Sequence, residues 1–413
     1  MDSYINAVDF FRGNDPEEIV KKYGTPLYLY NETIVRRHMK AVAEVITKYP
    51  YTANYSVKAN TNIHILKMAL EEGLNCDAMS IGEIRMLEAA GFPSDRIFYV
   101  PNNVSEEEMQ EAIDRGIMTS CDSLEQLEQY GRLAPGGKCA VRINPGVGAG
   151  HHEKVVTAGK KTKFGIAEED IDTIFEICEK YQLTIAGINQ HIGSLFMDPE
   201  PYLQAVSNLL RIARRFKSLE FIDFGGGYGI PYHKLNDEAE YPMEDFKARL
   251  IPILDEFVQD YGSAPLFKSE PGRYCVAEGS VILGRVHAVK QNAGKKYAGT
   301  DIGMNVLVRP SMYDSWHDIE ILRDGAAVPR EDLQEITVTG NICESGDLLA
   351  KDRMLPEIRR GVLACVLDTG AYGYSMCSPY NSRPRPAEVL VKEDGSLQLI
   401  RRRETIEDLM AYM

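Results

Sequence analysis

No run in this 413-residue chain approaches the ~20 consecutive apolar residues that a membrane span needs. The first residues, MDSYINAVDFFRGND, are acidic rather than basic-then-apolar, so a secretory leader is not expected and the cytoplasm is. Cations are in deficit. Lys plus Arg number 46 against 61 Asp plus Glu, a net charge of −15, which disfavours nucleic acid or an anionic membrane as partner. A few local arginines can still capture a small anion. The eight cysteines form no CxxC pair, which argues against a zinc ribbon, and their scatter suits buried thiols better than a disulfide framework. HExxH, GxxxxGK[ST] and GxSxG are all missing. His151-His152 lacks the i,i+4 spacing of a helical metal pair. No metal is expected.

What is present is an ordinary globular composition, 44% apolar and 26% charged, long enough for one large domain and a smaller one. Asp15-Pro16 opens a short helix that Gly24 ends. Apolar runs near 53–58, 74–79, 97–100, 117–121, 139–143, 183–190, 219–223 and 266–270 then alternate with amphipathic intervals. Ser105-x-x-Glu108 has the form of a capping box before one of these. Eight strand–helix units over about 240 residues predict an α/β fold with a parallel sheet, a (β/α)8 TIM-like barrel being the expectation. An open doubly wound sheet gives the same pattern. After Arg273 the runs 281–289, 336–339, 361–368 and 388–391 are β-branched and separated by turns, which predicts a second, all-β C-terminal domain of about 130 residues.

Lys58 ends the first barrel run, in Asn54-Tyr55-Ser56-Val57-Lys58-Ala59-Asn60. Barrel enzymes carry their chemistry at that end of the strands, and a desolvated lysine is an amine nucleophile. The plainer reading is a lysine reaching solvent at the barrel mouth. Gly225-Gly226-Gly227 follows strand seven, where open backbone N–H groups can hold an anion, or where three glycines simply turn. Glu270-Pro271-Gly272-Arg273 ends strand eight. Its carboxylate could face a cofactor nitrogen and its guanidinium could fork onto an anion, or the two could be structural. His191, before Ile192-Gly193-Ser194, could stack on a planar ring, though a lone histidine is more often structural. Cys343-Glu344-Ser345-Gly346-Asp347 offers a proton donor and an ammonium ligand, or an acidic turn. Arg309 with Tyr313, and Tyr372, could bind anions.

Together the segments SVKANTN, CDAMSIGE, KFGI, HIGS, DFGGGYGIPY, SEPGR, RPSMY, CESGD, DTGAYGYSM and YNSRPRPAEVLV, in this order from about Thr25 to Asp408, resemble the group III pyridoxal-phosphate decarboxylases. That resemblance implies an alanine-racemase-like fold: residues 27–272 as the cofactor-binding barrel, and 273–413 with the N-terminal segment 1–26 as the β domain. It implies pyridoxal 5'-phosphate as cofactor and a homodimer with shared active sites. Lys58 matches the lysine that holds the cofactor covalently, His191 the ring-stacking histidine and Glu270 the carboxylate on the pyridine nitrogen. Ser194, Gly226, Gly227, Gly272, Arg273 and Tyr372 fall in phosphate-holding segments, and Asp77 in one beside the cofactor. Arg273, Arg309 and Tyr313 match groups that receive a distal carboxylate, with Tyr372 beside them. Cys343 and Glu344 match a pair supplied by the other subunit. Leu195 and Gln190 depart from the usual neighbours of HIGS.

The implied reaction is decarboxylation of meso-2,6-diaminoheptanedioate to L-lysine and carbon dioxide, with Lys58 or Cys343 returning the proton. A sister decarboxylase acting on D-ornithine, D-lysine, carboxynorspermidine or a specialised intermediate is the nearest alternative. A racemase of the same fold and an inactive relative are further ones. Two arginines, Arg273 and Arg309, favour a substrate with a second carboxylate.

Overall fold

The computed structural model describes residues 3–144 and 163–413; His151 and His152 lie outside them. The chain divides into two units, His38–Ile230 with Glu240–Cys275, and Met1–Arg37 with Pro231–Ala239 and Val276–Met413. After a first strand, β1 (Leu27–Asn31), come eight short strands: β2 (Tyr51–Ser56), β3 (Asn75–Ala78), β4 (Ile97–Tyr99), β5 (Met118–Cys121), β6 (Lys138–Arg142), β7 (Thr184–Asn189), β8 (Phe221–Asp223) and β9 (Leu266–Ser269). All pair in parallel, and β2 pairs with both β3 and β9, so the sheet closes into a barrel rather than staying open.

Register places the functional ends of these strands. Ser56 lies opposite Asp77 and Asn189 opposite Asp223. Helices begin where the sequence supplies a serine: Ser80, Ser105 and Ser123 each accept from the backbone N–H three residues on. At Ser105 only the serine's half of the expected capping box is seen in the cap geometry. Part of the barrel unit is an apolar cluster. Phe98, Val100, Ala140, Ala186 and Phe221 form one cluster, with Phe98 and Phe221 edge to face at 5.3 Å. Towards the strand ends lie buried polar residues, Asp77 and Asp223 among them.

The other unit is built on a ten-stranded sheet. Its strands are β1 with β10 (Ser280–Asn292), β11 (Lys295–Thr300), β12 (Ile319–Arg323), β13 (Ala326–Ala327), β14 (Gln334–Thr339), β15 (Leu348–Leu355), β16 (Leu363–Val366), β17 (Ala387–Val391) and β18 (Leu397–Arg401). β1 sits in its middle, antiparallel to β10 and parallel to β17. Leu27–Asn31, placed by expectation at the start of the barrel stretch, is therefore a sheet strand. Every residue of LYLYN is buried, which suits a strand with neighbours on both sides. Phe10, Ile19 and Val20 of the N-terminal helical segment pack with Leu27, Leu29, Val281 and Val389 in its core. Among the described residues no helix is long and apolar enough to cross a membrane.

One ionic cluster is sealed inside this unit. Lys234, 4% exposed, lies 2.7 Å from both Glu278 and Asp368, and its ammonium sits 4.1 Å from the centre of the Tyr4 ring. Two carboxylates and a ring face around one ammonium offset a desolvation cost that an isolated charge could not meet. Lys234→Met leaves two buried carboxylates without their cation. It should destabilise the protein by roughly 3–5 kcal/mol, read as a lowered denaturation midpoint; an unchanged midpoint would show that the cluster contributes no net stability.

Candidate active site

The strand β2 ends in a single 3-10 turn, Val57–Ala59, whose Val57 and Ala59 are buried while Lys58 is half-buried. The turn is fixed by its own sequence. Asn60 Oδ1 accepts from the Asn62 N–H at 3.0 Å, Asn62 Oδ1 caps the next helix at His64, and the Tyr55 hydroxyl donates to the Asn60 carbonyl. Lys58 thus leaves the barrel at a rigid point, among carboxyl groups that its positive charge stabilises as anions: Asp77, Glu83 and Glu270.

Asp77, on β3, is fully buried. Its Oδ1 accepts from the Ser56 hydroxyl at 2.7 Å, while Oδ2 makes no hydrogen bond among the described residues. Burial pushes its carboxyl up, against the pull of Lys58. Glu270, just after β9, is 4% exposed, and its Oε1 also lacks a hydrogen-bond partner among the described residues. Burial, then the charges of Asp223 and Asp77, push it well above the carboxylate range, opposed by Lys58 and Arg142.

His191 follows β7. Its Nδ1 accepts from the Gly226 N–H at 3.3 Å, so its proton sits on Nε2. Burial and the cations Lys58 and Arg142 hold the imidazole well below its usual range, and the ring is neutral. The glycines beside it are required by space. A Cβ on Gly226 would lie 1.8 Å from the Glu270 carbonyl oxygen, and one on Gly227 would lie 2.1 Å from the Phe196 ring. A Cβ on Gly272 would meet Ser56 at 2.9 Å. Gly226 thus lies backbone against backbone, while Gly227 and Gly272 pack directly under side chains. Arg273, 5% exposed, donates from Nε and Nη2 to the Ser194 hydroxyl at 3.3 and 3.1 Å.

Further buried polar residues of the barrel strands and their ends were not singled out from sequence, among them the charged Asp223, Lys268, Arg142 and Asp122. Asp223, ending β8, accepts from the Gly225 N–H at 2.9 Å and the Asn54 amide at 3.3 Å. Burial pushes its carboxyl up to about 7. Lys268 lies opposite Asp223 with its ammonium 3.7 Å from the centre of the Phe221 ring, and burial lowers its pKa. Arg142 pairs with Asp122 at 3.4 Å and lies over Phe164 of KFGI. A lysine inside the short run LFKS and an aspartate separated by one residue from three glycines were the available signals.

Lys58, Asp77, His191, Ser194, Gly226, Gly227, Glu270, Gly272 and Arg273 thus belong to the barrel unit, at the strand ends. These residues fit a phosphorylated pyridine aldehyde. An amine is present, a buried carboxyl oxygen lacks a partner among the described residues, a neutral ring lies beside it, and glycine backbone and an arginine are available to an anion.

Arg309, Tyr313, Cys343, Glu344 and Tyr372 lie in the sheet unit. Arg309, 2% exposed, opens the short helix Arg309–Tyr313, with Tyr313 half-buried at its end. That helix meets the CESGD loop, because the Ser311 hydroxyl donates to the Gly346 carbonyl at 2.8 Å. Inside the loop Asp347 accepts from the N–H groups of Met304 and Ile342. Cys343 and Glu344 remain exposed, next to Asn381 and Tyr380 of YNSRP: Asn381 Nδ2 donates to Cys343 Sγ at 3.2 Å, and the Tyr380 hydroxyl donates to Glu344. Tyr372 is half-buried, with φ of +57°.

A family model described as the pyridoxal binding domain of pyridoxal-dependent decarboxylases matches residues 31–277. A diaminopimelate decarboxylase of Methanothermobacter thermautotrophicus is 41% identical, covering 96% of this chain and 94% of its own. That of Escherichia coli K12 is 33% identical, with 94% of each chain covered. The crystal structure of diaminopimelate decarboxylase from Helicobacter pylori complexed with L-lysine superposes with a TM-score of 0.87 at 30% identity, covering 96% of this chain and 98% of that one.

The buried carboxyls make stability depend on pH in a definite sense. Folded Asp223 holds its proton to about pH 7, whereas an unfolded aspartate releases it near 3.9. Its contribution to stability therefore falls as pH rises between those values. Asp223→Asn removes this loss. Between pH 4 and 8 the variant should gain roughly 4 kcal/mol on wild type in denaturant unfolding, taking ~1.4 kcal/mol for each tenfold difference in proton affinity. Parallel pH dependences would rule the buried titration out.

Proposed function

The chain belongs to the pyridoxal-dependent decarboxylases, and from that premise we propose that it removes one carboxylate of meso-2,6-diaminoheptanedioate as carbon dioxide and releases L-lysine, the last step of lysine biosynthesis. Nearly full-length similarity to diaminopimelate decarboxylases supports the substrate. The observation that carries the reading is the buried Glu270 carboxyl, one oxygen of which has no hydrogen-bond partner among the described residues. An anion there is costly alone, and a pyridinium N–H is the partner that would remove the cost. When bound, pyridoxal 5'-phosphate supplies an electron sink for the pair left by the departing carboxylate.

We assign the holding of that cofactor to Lys58 at its aldehyde carbon, Glu270 at the ring nitrogen and His191 at the ring face. Ser194, Gly226, Gly227, Gly272, Arg273 and Tyr372 would hold its phosphate, with Asp77 nearby. His191 serves as a neutral ring, since a cation there would compete with the pyridinium for Glu270. Apart from Tyr372, these groups belong to the barrel unit and lie inside residues 31–277, the span of the family match.

Specificity in this proposal rests on charge. Arg309 and Arg273, with Tyr313 and Tyr372, would receive the distal carboxylate, and Glu344 an ammonium of the substrate. A bidentate arginine–carboxylate pair orients as well as binds, so it turns the other end of the substrate towards the reacting centre. Lys58 or Cys343 would return a proton to Cα. A homodimer in which Cys343 and Glu344 serve the partner's barrel, in the cytoplasm, belongs to the same proposal.

Purified protein with pyridoxal 5'-phosphate, offered the meso, L,L and D,D isomers with D-lysine and D-ornithine, should release carbon dioxide fastest from the meso isomer. Preference for a monocarboxylate would sink the substrate assignment. Lys58→Ala should abolish both turnover and the visible absorbance of the bound cofactor; retention of that absorbance would remove Lys58 from its role. Arg309→Ala should lower kcat/KM by ~10², equivalent to about 3 kcal/mol for a lost charged contact.

A further inference from the structure

Arg309 is among the largest fully buried side chains of the protein, and its guanidinium is held by a neighbour the reaction does not itself require. Its Nη1 donates to the Tyr232 hydroxyl at 3.0 Å and faces His317 Nε2 at 2.8 Å. Its Nη2 donates to the Ser315 hydroxyl at 3.4 Å. The guanidinium lies 4.9 Å from the centre of the Tyr232 ring, and that ring meets the His317 imidazole edge to face at 5.2 Å. His317 is 1% exposed and Tyr232 is 4% exposed.

The protonation state of His317 follows from these partners. A guanidinium only donates, so Nε2 must accept. Nδ1 lies 2.8 Å from the Leu367 carbonyl, which only accepts, so Nδ1 carries the proton. The ring is neutral and in one tautomer. It also joins two chain segments, since Leu367 directly precedes Asp368-Thr369-Gly370-Ala371-Tyr372, and the Leu367 N–H bonds back to the Asp318 carbonyl at 2.9 Å. One imidazole thus braces both the arginine and the segment that leads to Tyr372.

We propose that His317 is the positioning residue for Arg309, holding its guanidinium in the orientation that receives the substrate's distal carboxylate only while the imidazole is neutral. This rests on the reading of Arg309 given above. Protonation would turn Nε2 into a donor and set a cation against a cation, so substrate affinity is lost as pH falls through the imidazole's titration. Arg309 from its helix, the Tyr232 ring and the Leu367 carbonyl face His317. Arg353 donates to the His317 carbonyl, and the Asp318 carboxylate adjoins in sequence. The two arginines oppose protonation and Asp318 favours it.

The test uses the holoenzyme with meso-2,6-diaminoheptanedioate, and heptanedioate as a competing dicarboxylate. His317→Leu should raise KM and the heptanedioate inhibition constant at least tenfold, with kcat within threefold. His317→Gln restores an acceptor that cannot be protonated. It should return KM to within threefold of wild type and abolish the rise of KM on the acid side. If His317→Leu melts like wild type and keeps the wild-type KM, the proposal is overturned. It is equally overturned if His317→Gln shows the same acid-side rise, a result that stands even where the leucine variant does not fold. Arg309→Ala separates the two ideas: if it too leaves KM unchanged, the reading of Arg309 fails; if it alone raises KM, only the role of His317 does.

Discussion

The barrel depends on keeping carboxyl groups out of water beside a limited set of cations. Asp77, Asp223 and Glu270 are all buried at the strand ends, and Lys58, Arg142 and Lys268 oppose the rise of their affinity for protons. Each carboxyl raises the cost of ionising the next, as the effect of Asp223 and Asp77 on Glu270 shows. Such an interior is a poor way to gain stability and a good way to hold protons ready. A protonated ring nitrogen placed there would meet a group whose ionisation it favours.

The glycines serve the same end by a different route. Gly225 takes φ of +74° and bonds back to Asp223, while Gly226 lies against the Glu270 carbonyl with no space for a side chain. The loop is thereby locked to both acidic strand ends, and its N–H groups are positioned by the same contacts that bury the carboxyls. A larger residue would disturb the anion-binding backbone and the acid together.

Much of this was legible in the sequence because the signals were local. Lys58 at the end of an apolar run, three glycines after strand seven and Glu270 after strand eight each mark a strand end where a barrel keeps its chemistry. Asp223 and Lys268 were not legible, because an aspartate before a turn and a lysine in a four-residue strand have ordinary explanations. Only the parallel pairing of β9 with β8 places Lys268 over Phe221. β1 was misplaced for a related reason. LYLYN reads as a doubly buried strand in either unit, and what assigns it is pairing with Ile282 and Val389, more than 250 residues away. His317 gave no signal at all, since its partners come from three separate segments.

Two histidines show how the fold assigns roles without charge. His191 accepts at Nδ1 from a backbone N–H, and His317 accepts at Nε2 from a guanidinium, so the two rings hold opposite tautomers. In each case a donor that cannot accept fixes the ring as neutral, and burial reinforces the choice. A neutral imidazole is rigid, planar and a single-point acceptor, which suits it to holding another group in place. A lysine or arginine in either position would add a cation where the carboxyls and the substrate's anion already set the balance. The histidines therefore position the charged groups while leaving the count of charges to Lys58, Arg309 and the acids around them.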